Sequence, residues 1–359
     1  MESKKESLKV LVTGATGFLG QWLVSSLLEQ HHQVYVLARS PQKAEKLFLN
    51  NNLSKNLDSE NSSISNSTSA STAELVLQIL PGDVTDLSSM QKAFQGMDTV
   101  FHLAGVIAYK KKDREQMEQV NVQGTQNVVQ ACLENKVRRL VYLSSVVAIG
   151  AGFSPEQVLN ESSTYNIQHL NLGYFETKRK AEDIVKEAVK NKSLDAVILN
   201  PSTIYGAGDA EKGSRSMQIK VAKGKFPFYT SGGVNVVAVE DVIQGIISAW
   251  HIGRKGERYI LSGENMTIQK LFATIAEAAG VPAPNKKLPN WLLHLLGGIG
   301  DGMDALGLKG PLSRENAWTS TMFHWFDNSK AKAELGFNPR PSKEAIVNSV
   351  QWMKDKHII

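Results

Sequence analysis

Cysteine is almost absent from this chain, with Cys132 the only one in 359 residues. A single thiol excludes an intramolecular disulfide framework and every zinc or iron–sulfur site built from several cysteines, and it suits a reducing, cytoplasmic compartment. No run of about 18 apolar residues is present to span a bilayer, and the opening Met-Glu-Ser-Lys-Lys-Glu lacks the apolar core of a secretory signal. Charge of one sign is scarce as well. Forty Lys and Arg against 35 Asp and Glu leave a net +5, and the basic residues are scattered, apart from Lys4-Lys5 and the run Lys110, Lys111, Lys112. Without a basic stripe interleaved with stacking aromatics, nucleic acid is not an expected partner. The eight histidines show no metal-ligand spacing, so no metal is expected, and His31-His32, just before a strand, reads as solvated. What remains is an ordinary globular composition, 42% hydrophobic, long enough for one large or two modest domains.

From Lys9 onward, short β-branched runs alternate with longer helical patterns. The runs are Val10–Thr13, Val34–Ala38, Leu75–Leu80, Thr99–Leu103, Leu140–Leu143 and Ala196–Leu199; between them lie helical stretches such as Leu19–Gln30, Gly124–Asn135 and Tyr174–Asn191. Strand then helix, repeated, predicts a parallel sheet covered on both faces. An Asn/Ser-rich run over Asn50–Thr72 interrupts the rhythm and cannot bury enough surface to offset its ordering entropy, so a disordered surface insertion is expected there. After Pro201 the rhythm loosens into glycine-marked turns, the pattern of a smaller, irregular domain that binds substrate. Trp291–Gly300 is apolar yet too short to cross a membrane; it reads as a buried helix or pocket wall, with an interfacial helix as the alternative.

The chemistry begins at the end of the first strand. Thr13-Gly14-Ala15-Thr16-Gly17-Phe18-Leu19-Gly20 places glycines at 14, 17 and 20 where a helix opens. There Gly14 permits a tight turn, Gly17 lets backbone approach a pyrophosphate, Gly20 lets the helix pack on the sheet, and helix N–H groups face the anion. The expected fold is therefore α/β: a Rossmann-type doubly wound parallel sheet over residues 1–204, rejoined by the chain near 234–262, with the substrate domain over 205–359. The residue ending the second strand selects the cofactor. An acid there would take the ribose hydroxyls of NAD, but the residue is Arg39, with Ser40 beside it and Lys43 following, a set suited to the 2′-phosphate of NADP(H). Tyr174 and Lys178, four apart at the start of a helical pattern, project from one face, and an ammonium beside a phenol depresses its pKa into a useful range. Ser144-Ser145 ends a strand on the same sheet edge.

These residues together resemble the extended short-chain dehydrogenase/reductase family, also described as the NAD-dependent epimerase/dehydratase family. The resemblance is carried by Thr13 to Gly20, Gly82-Asp83-Val84-Thr85-Asp86, His102-Leu103-Ala104-Gly105, Asn121 to Thr125, Ser144-Ser145, Tyr174 to Lys178 and Asn200 to Gly206. Within the family the chain looks most like its dihydroflavonol-reductase-like and 3β-hydroxysteroid-dehydrogenase-like branch. The resemblance implies Tyr174 as acid/base, Lys178 on the nicotinamide ribose and Ser145 on the substrate oxygen. It implies Gly14, Thr16, Gly17, Phe18, Leu19 and Gly20 around the pyrophosphate, and Asp83 and Val84 at the adenine. Leu103, Ala104 and Gly105 would line the adenosine side, while Pro201 and Thr203 would border the nicotinamide. Asn121 looks like the family's helix-kink asparagine, in a relay or a structural role. A homodimer through Gly124–Asn135 and Tyr174–Asn191 is implied as well.

Hydride exchange between NADP(H) and a ketone or aldehyde, apolar ones included, is the leading expectation. The alternative, a nucleotide-sugar epimerase or dehydratase holding NAD, is opposed by Arg39 and by Tyr205-Gly206-Ala207-Gly208-Asp209, which lacks the Gly-Pro-Arg continuation of sugar enzymes. A cofactor-binding sensor without turnover is opposed by the intact Ser145, Tyr174 and Lys178. The Lys110–Lys112 run reads as a solvated loop or as a guide for an anionic substrate. Cys132 reads as a packing residue. Replacing the Asn50–Thr72 run by a short Gly-Ser bridge is expected to leave melting temperature and turnover nearly unchanged, because a disordered segment contributes few native contacts; a loss of several degrees in a thermal melt would show that it packs.

Overall fold

A computed structural model describes residues 7–50, 76–211, 215–308, 310 and 312–359. The Asn/Ser-rich run, beyond its first residue, lies outside the described residues. Twelve strands are described: β1 (Lys9–Thr13), β2 (Gln33–Ala38), β3 (Leu77–Pro81), β4 (Thr99–His102), β5 (Arg139–Leu143), β6 (Ala196–Pro201), β7 (Thr203–Tyr205), β8 (Phe228–Tyr229), β9 (Gly233–Ala238), β10 (Arg258–Leu261), β11 (Glu264–Thr267) and β12 (Lys286–Lys287). Seven of them form one sheet in the order β3-β2-β1-β4-β5-β6-β10, parallel at every pairing.

Its central strands are apolar on both faces because helices cover both. On one face Leu19, Leu23, Val24 and Leu27, from helix Phe18–Glu29, share a cluster with Val242, Ile246 and Trp250, from helix Val239–Ile252. On the other, Met90, Val128, Cys132 and Val185 come from helices Leu87–Ala93, Gly124–Glu134 and Gly173–Lys192. Cys132 is thus a buried packing residue, and burial raises its thiol pKa. His32 departs from expectation: it is buried, edge-on to the Trp250 ring at 5.0 Å, because the turn before β2 folds back onto helix Val239–Ile252.

Past Pro201 the chain is more regular than its glycines suggest. Strand β9 pairs parallel with β7 and antiparallel with β11, and β8 pairs with β12. Helices Ile268–Ala279 and Ser342–Asp355 pack on this small sheet through Leu271, Ile275, Ile346 and Val350. The first of them starts where Thr267 turns its hydroxyl to accept from the Lys270 N–H at 3.1 Å.

The strand order reverses between β1 and β4, since the chain winds outward through β2 and β3 before returning. In an open parallel sheet the crevice beyond the carboxyl ends at that reversal is where ligands bind. The glycine loop, Leu103–Gly105, Ser144-Ser145 and Asn200–Thr203 all leave their strands along that edge.

Candidate active site

The glycine loop has little room for side chains. Gly14 has φ +71°, and a Cβ there would stand 2.6 Å from the Ala104 N; a Cβ on Gly20 would stand 2.5 Å from the Ala15 Cα. The loop therefore lies flat against the end of β4, and helix Phe18–Glu29 starts close over it. Gly17 caps that helix with no side-chain acceptor, and no acidic residue stands in its first turn. The start of the helix lies beside exposed Thr16 and Gly17, an arrangement suited to a pyrophosphate. Phe18 is half-buried and Leu19 buried. Arg39 stands exposed at the end of β2, Ser40 half-exposed beside it, and Lys43 exposed in the first turn of helix Pro41–Asn50.

Asp83 and Val84 shape the loop after β3. The Asp83 carboxylate accepts from the Thr85 N–H and hydroxyl, each at 2.9 Å, and the Val84 carbonyl accepts from Asn127 at 2.9 Å. Pro201 ends β6 in a buried position and Thr203, half-buried, opens β7.

Tyr174 and Lys178 sit one turn apart at the start of helix Gly173–Lys192, both buried. The Ser145 hydroxyl accepts from the Val147 N–H at 3.4 Å, while Ser144 is buried and donates to Glu182 at 2.6 Å. The Tyr174 ring meets the Tyr109 ring edge-on at 6.3 Å. Lys178 donates to the Leu143 carbonyl at 2.9 Å and stands 3.4 Å from the Tyr142 hydroxyl.

The electrostatics correct one expectation. Burial raises the Tyr174 pKa above the ordinary phenol value, Tyr109 adds to the rise, and only the Ser145 hydrogen bond opposes it. At Tyr174 burial prevails, and the Lys178 ammonium donates to the end of β5. Burial also lowers Lys178 itself to about 8, with the Glu182 charge working against the fall.

Glu182 is a residue that pattern reading missed. It follows Lys178 by four, so it continues the same helix face, and its carboxylate is almost fully buried. Besides Ser144 it receives Asn200 Nδ2 at 2.7 Å, Lys186 Nζ at 2.6 Å and Arg258 Nη1 at 3.1 Å. Burial pushes its pKa up, but Lys186, Ser144 and Arg258 outweigh that and hold it below the usual carboxylate range. Asn200 also donates to the Ser145 carbonyl at 2.9 Å. One charge thereby ties the helix to the end of β5, to β6 and to the start of β10. Glu315 acts likewise from 142 residues away, accepting the Gly173 N–H at 2.9 Å and pairing with Arg114 at 2.9 Å.

Behind Lys178 a buried chain of polar groups runs back toward the glycine loop. His102 lies between Thr13 Oγ1 at 2.8 Å and Thr125 Oγ1 at 3.1 Å, and burial lowers its pKa to about 3, so it stays neutral. Thr13 Oγ1 in turn accepts the Ala104 N–H at 3.3 Å. Asn121 lies in a π-helical stretch, Glu118–Gln123, and its side chain exchanges hydrogen bonds with both backbone groups of Val106, at 2.8 and 2.9 Å. Its main-chain carbonyl is engaged by Thr125 Oγ1 at 2.6 Å, an arrangement that favours the structural role.

In the lysine run Lys111 and Lys112 are exposed, as a solvated loop implies, while Lys110 pairs with Asp304 at 2.9 Å and Lys111 with Asp301 at 3.4 Å, both on helix Asn290–Ala305. A cavity of about 150 Å³ opens beside Tyr109, lined also by Arg114, Asp301 and Glu315. A larger one of about 350 Å³, between Asn265, Asn328 and Arg340, contains none of these groups. Among the described residues no cluster of His, Cys, Asp and Glu could hold a metal ion.

Residues 11–268 match the 3-beta hydroxysteroid dehydrogenase/isomerase family. A Synechocystis protein provisionally named as a dihydroflavonol 4-reductase is 30% identical over 96% of this chain and 94% of its own length. Sterol demethylase protein B of Methylococcus capsulatus is 28% identical over 98% of this chain and the whole of its own. Among solved structures, a dTDP-glucose 4,6-dehydratase from Streptomyces venezuelae, with NAD bound, superposes with a TM-score of 0.73 at 20% identity over 97% of each chain, a likeness of fold.

Glu182→Gln removes the charge that both holds the three strands and supports the Lys178 cation. Breaking a buried ion pair from one side costs about 3–5 kcal/mol, so a denaturant titration should show a loss of that order. The Lys178 pKa should fall further below about 8. A pH–rate profile whose basic limb does not move, alongside reduced stability, would leave Glu182 with a purely structural part.

Proposed function

The chain belongs to the 3-beta hydroxysteroid dehydrogenase/isomerase family, and from that premise we propose that it is an NADP(H)-dependent oxidoreductase interconverting a ketone or aldehyde and an alcohol at Ser145, Tyr174 and Lys178. The observation that carries the reading is the buried pair Tyr174 and Lys178, one turn apart on one helix, with Lys178 donating to the end of β5 just before Ser145, at the carboxyl edge of the sheet. The cofactor would lie over the glycine loop, and when bound it supplies or accepts the hydride.

The remaining work falls to the chain. Because burial raises its pKa, Tyr174 carries its proton at neutral pH and can donate it to a carbonyl oxygen as that oxygen gains charge. Ser145, half-exposed where the chain leaves β5, would orient that oxygen. Lys178 is cationic below about pH 8 and neutral above it, so its positive charge is available to the site only on the acid side of that value. Turnover should therefore fall as pH rises through about 8. Arg39, exposed with Ser40 and Lys43 close in sequence, supports a 2′-phosphate and hence NADP(H). Residues 1–204, joined by β10, would form the nucleotide-binding part, and the small sheet with the C-terminal helices the substrate part.

Tyr174→Phe should keep NADP(H) binding, followed by cofactor fluorescence, and lose about 10²–10⁴-fold in kcat, the usual contribution of general acid–base catalysis. Turnover within about tenfold of wild type would remove Tyr174 from the mechanism. Assays on ketones, aldehydes and nucleotide sugars, following both NADPH absorbance and sugar products, separate this reading from an epimerase or dehydratase that returns its hydride in each cycle.

Arg39→Asp should reverse the preference toward NAD(H), since the new carboxylate accepts from the 2′-hydroxyl and repels a phosphate. Losing one charge-assisted contact should weaken NADPH about ten- to a hundredfold. An unchanged ratio of NADPH to NADH affinity would refute the assignment to NADP(H).

A further inference from the structure

Strand β5 presents two oxygens to the Lys178 ammonium. One is the Leu143 carbonyl at 2.9 Å; the other belongs to the preceding residue, Tyr142, whose hydroxyl stands 3.4 Å from Nζ. The ammonium also lies 5.1 Å from the centre of the Tyr142 ring, within the range at which a cation is drawn to an aromatic ring. Side chains alternate along a strand, so Tyr142 turns toward helix Gly173–Lys192 while Leu143 turns to the opposite face and offers only its backbone. Tyr142 is buried, and its oxygen is therefore held for the ammonium without competition from bulk water.

Tyr142 is itself backed by a fixed group. Its partner on the neighbouring strand β4 is His102, and the two rings lie 5.6 Å apart at 31°. The tautomer of His102 follows from its neighbours. Thr125 gives its hydroxyl proton to the Asn121 carbonyl at 2.6 Å, so its oxygen accepts from His102 Nε2. Nδ1 then carries no proton and accepts from the Thr13 hydroxyl. With both nitrogens committed the imidazole is held in place, and burial, helped by the Lys178 charge, keeps it neutral. The titratable groups around Lys178 are thus Tyr142 from β5, neutral His102 from β4, and Tyr174 and Glu182 from its own helix. Of these Glu182 alone is charged, and its carboxylate is shared among Ser144, Asn200, Lys186 and Arg258.

We propose that Tyr142 is a positioning residue: its hydroxyl oxygen, with the ring braced against His102, holds the Lys178 ammonium at the end of β5, one helical turn from Tyr174. Without that oxygen the ammonium keeps a single partner on the strand and loses a group that favours its charged form, so it gives up its proton at lower pH. The consequence for turnover rests on the oxidoreductase reading. The effect on Lys178 does not, because it is measured without substrate or cofactor.

The test uses Y142F, which removes the oxygen and keeps the ring. In the full chain carrying lysine labelled with carbon-13, the Cε signal of Lys178, assigned by its loss in K178R, is followed by NMR across pH. Wild type should titrate at about 8. Y142F should lower the proton affinity of Lys178 about three- to tenfold, and the basic limb of the pH–rate profile should move down with it. V128A loosens the same apolar cluster and is the control for packing; it should melt early and leave the titration where it was. A Lys178 titration unmoved in Y142F, or moved as far in V128A, would overturn the proposal, and so would a shifted titration beside an unmoved basic limb. A shifted titration with no turnover of any ketone or aldehyde would instead support the hold on Lys178 and refute the oxidoreductase reading.

Discussion

A carboxylate taken out of water costs several kcal/mol unless donors replace its hydration, and at Glu182 they come from four directions. Ser144 arrives from the end of β5, Asn200 from β6, Arg258 from β10 and Lys186 from the next turn of the same helix. None of these segments is adjacent in sequence to another, so the charge can be satisfied only when all of them are in place. Asn200 extends the constraint to Ser145 through its carbonyl. The separation of Ser145 and Tyr174 is in this way set by the sheet and the helix together, with Glu315 holding the helix start from the C-terminal side.

Burial decides the protonation of the groups around that anchor. It raises Tyr174 and Tyr142, lowers Lys178 to about 8, and keeps His102 neutral. The phenol thus rests as an acid, and the lysine is the group whose charge changes nearest to neutral pH. His102 can sit between two hydroxyls with no counter-charge because, as a neutral ring, it donates at one nitrogen and accepts at the other.

The sheet was legible because buried parallel strands are apolar on both faces, and β1, β2 and β4–β6 coincide with apolar runs to within a residue or two. The glycine loop was legible for a different reason: its constraint is local, as the backbone atoms close to Gly14 and Gly20 confirm. The choice of Ser145 over Ser144 rested on family pattern; the structure commits the Ser144 hydroxyl to Glu182, a partner that the sequence pattern could not show. Glu182 and Glu315 were hidden because their partners lie far away in sequence. Glu182 did carry a faint signal, the four-residue step from Lys178. The pairing of Lys110 and Lys111 with Asp304 and Asp301 was invisible for the same reason, as charges 190 residues apart announce nothing locally. His32 misled because Trp250, which covers it, is more than 200 residues distant.

The π-helical stretch Glu118–Gln123 also acts as a registry device. A π turn accommodates one residue more than the α turn it replaces, so winding the same residues as ordinary α-helix would rotate everything after them by about 100°. Helix Gly124–Glu134 would then swing Thr125 away from His102 and Asn127 away from the Val84 carbonyl. The cofactor loop after β3 and the polar chain behind Lys178 are thus phased by the same extra residue, and neither can be re-aimed without the other.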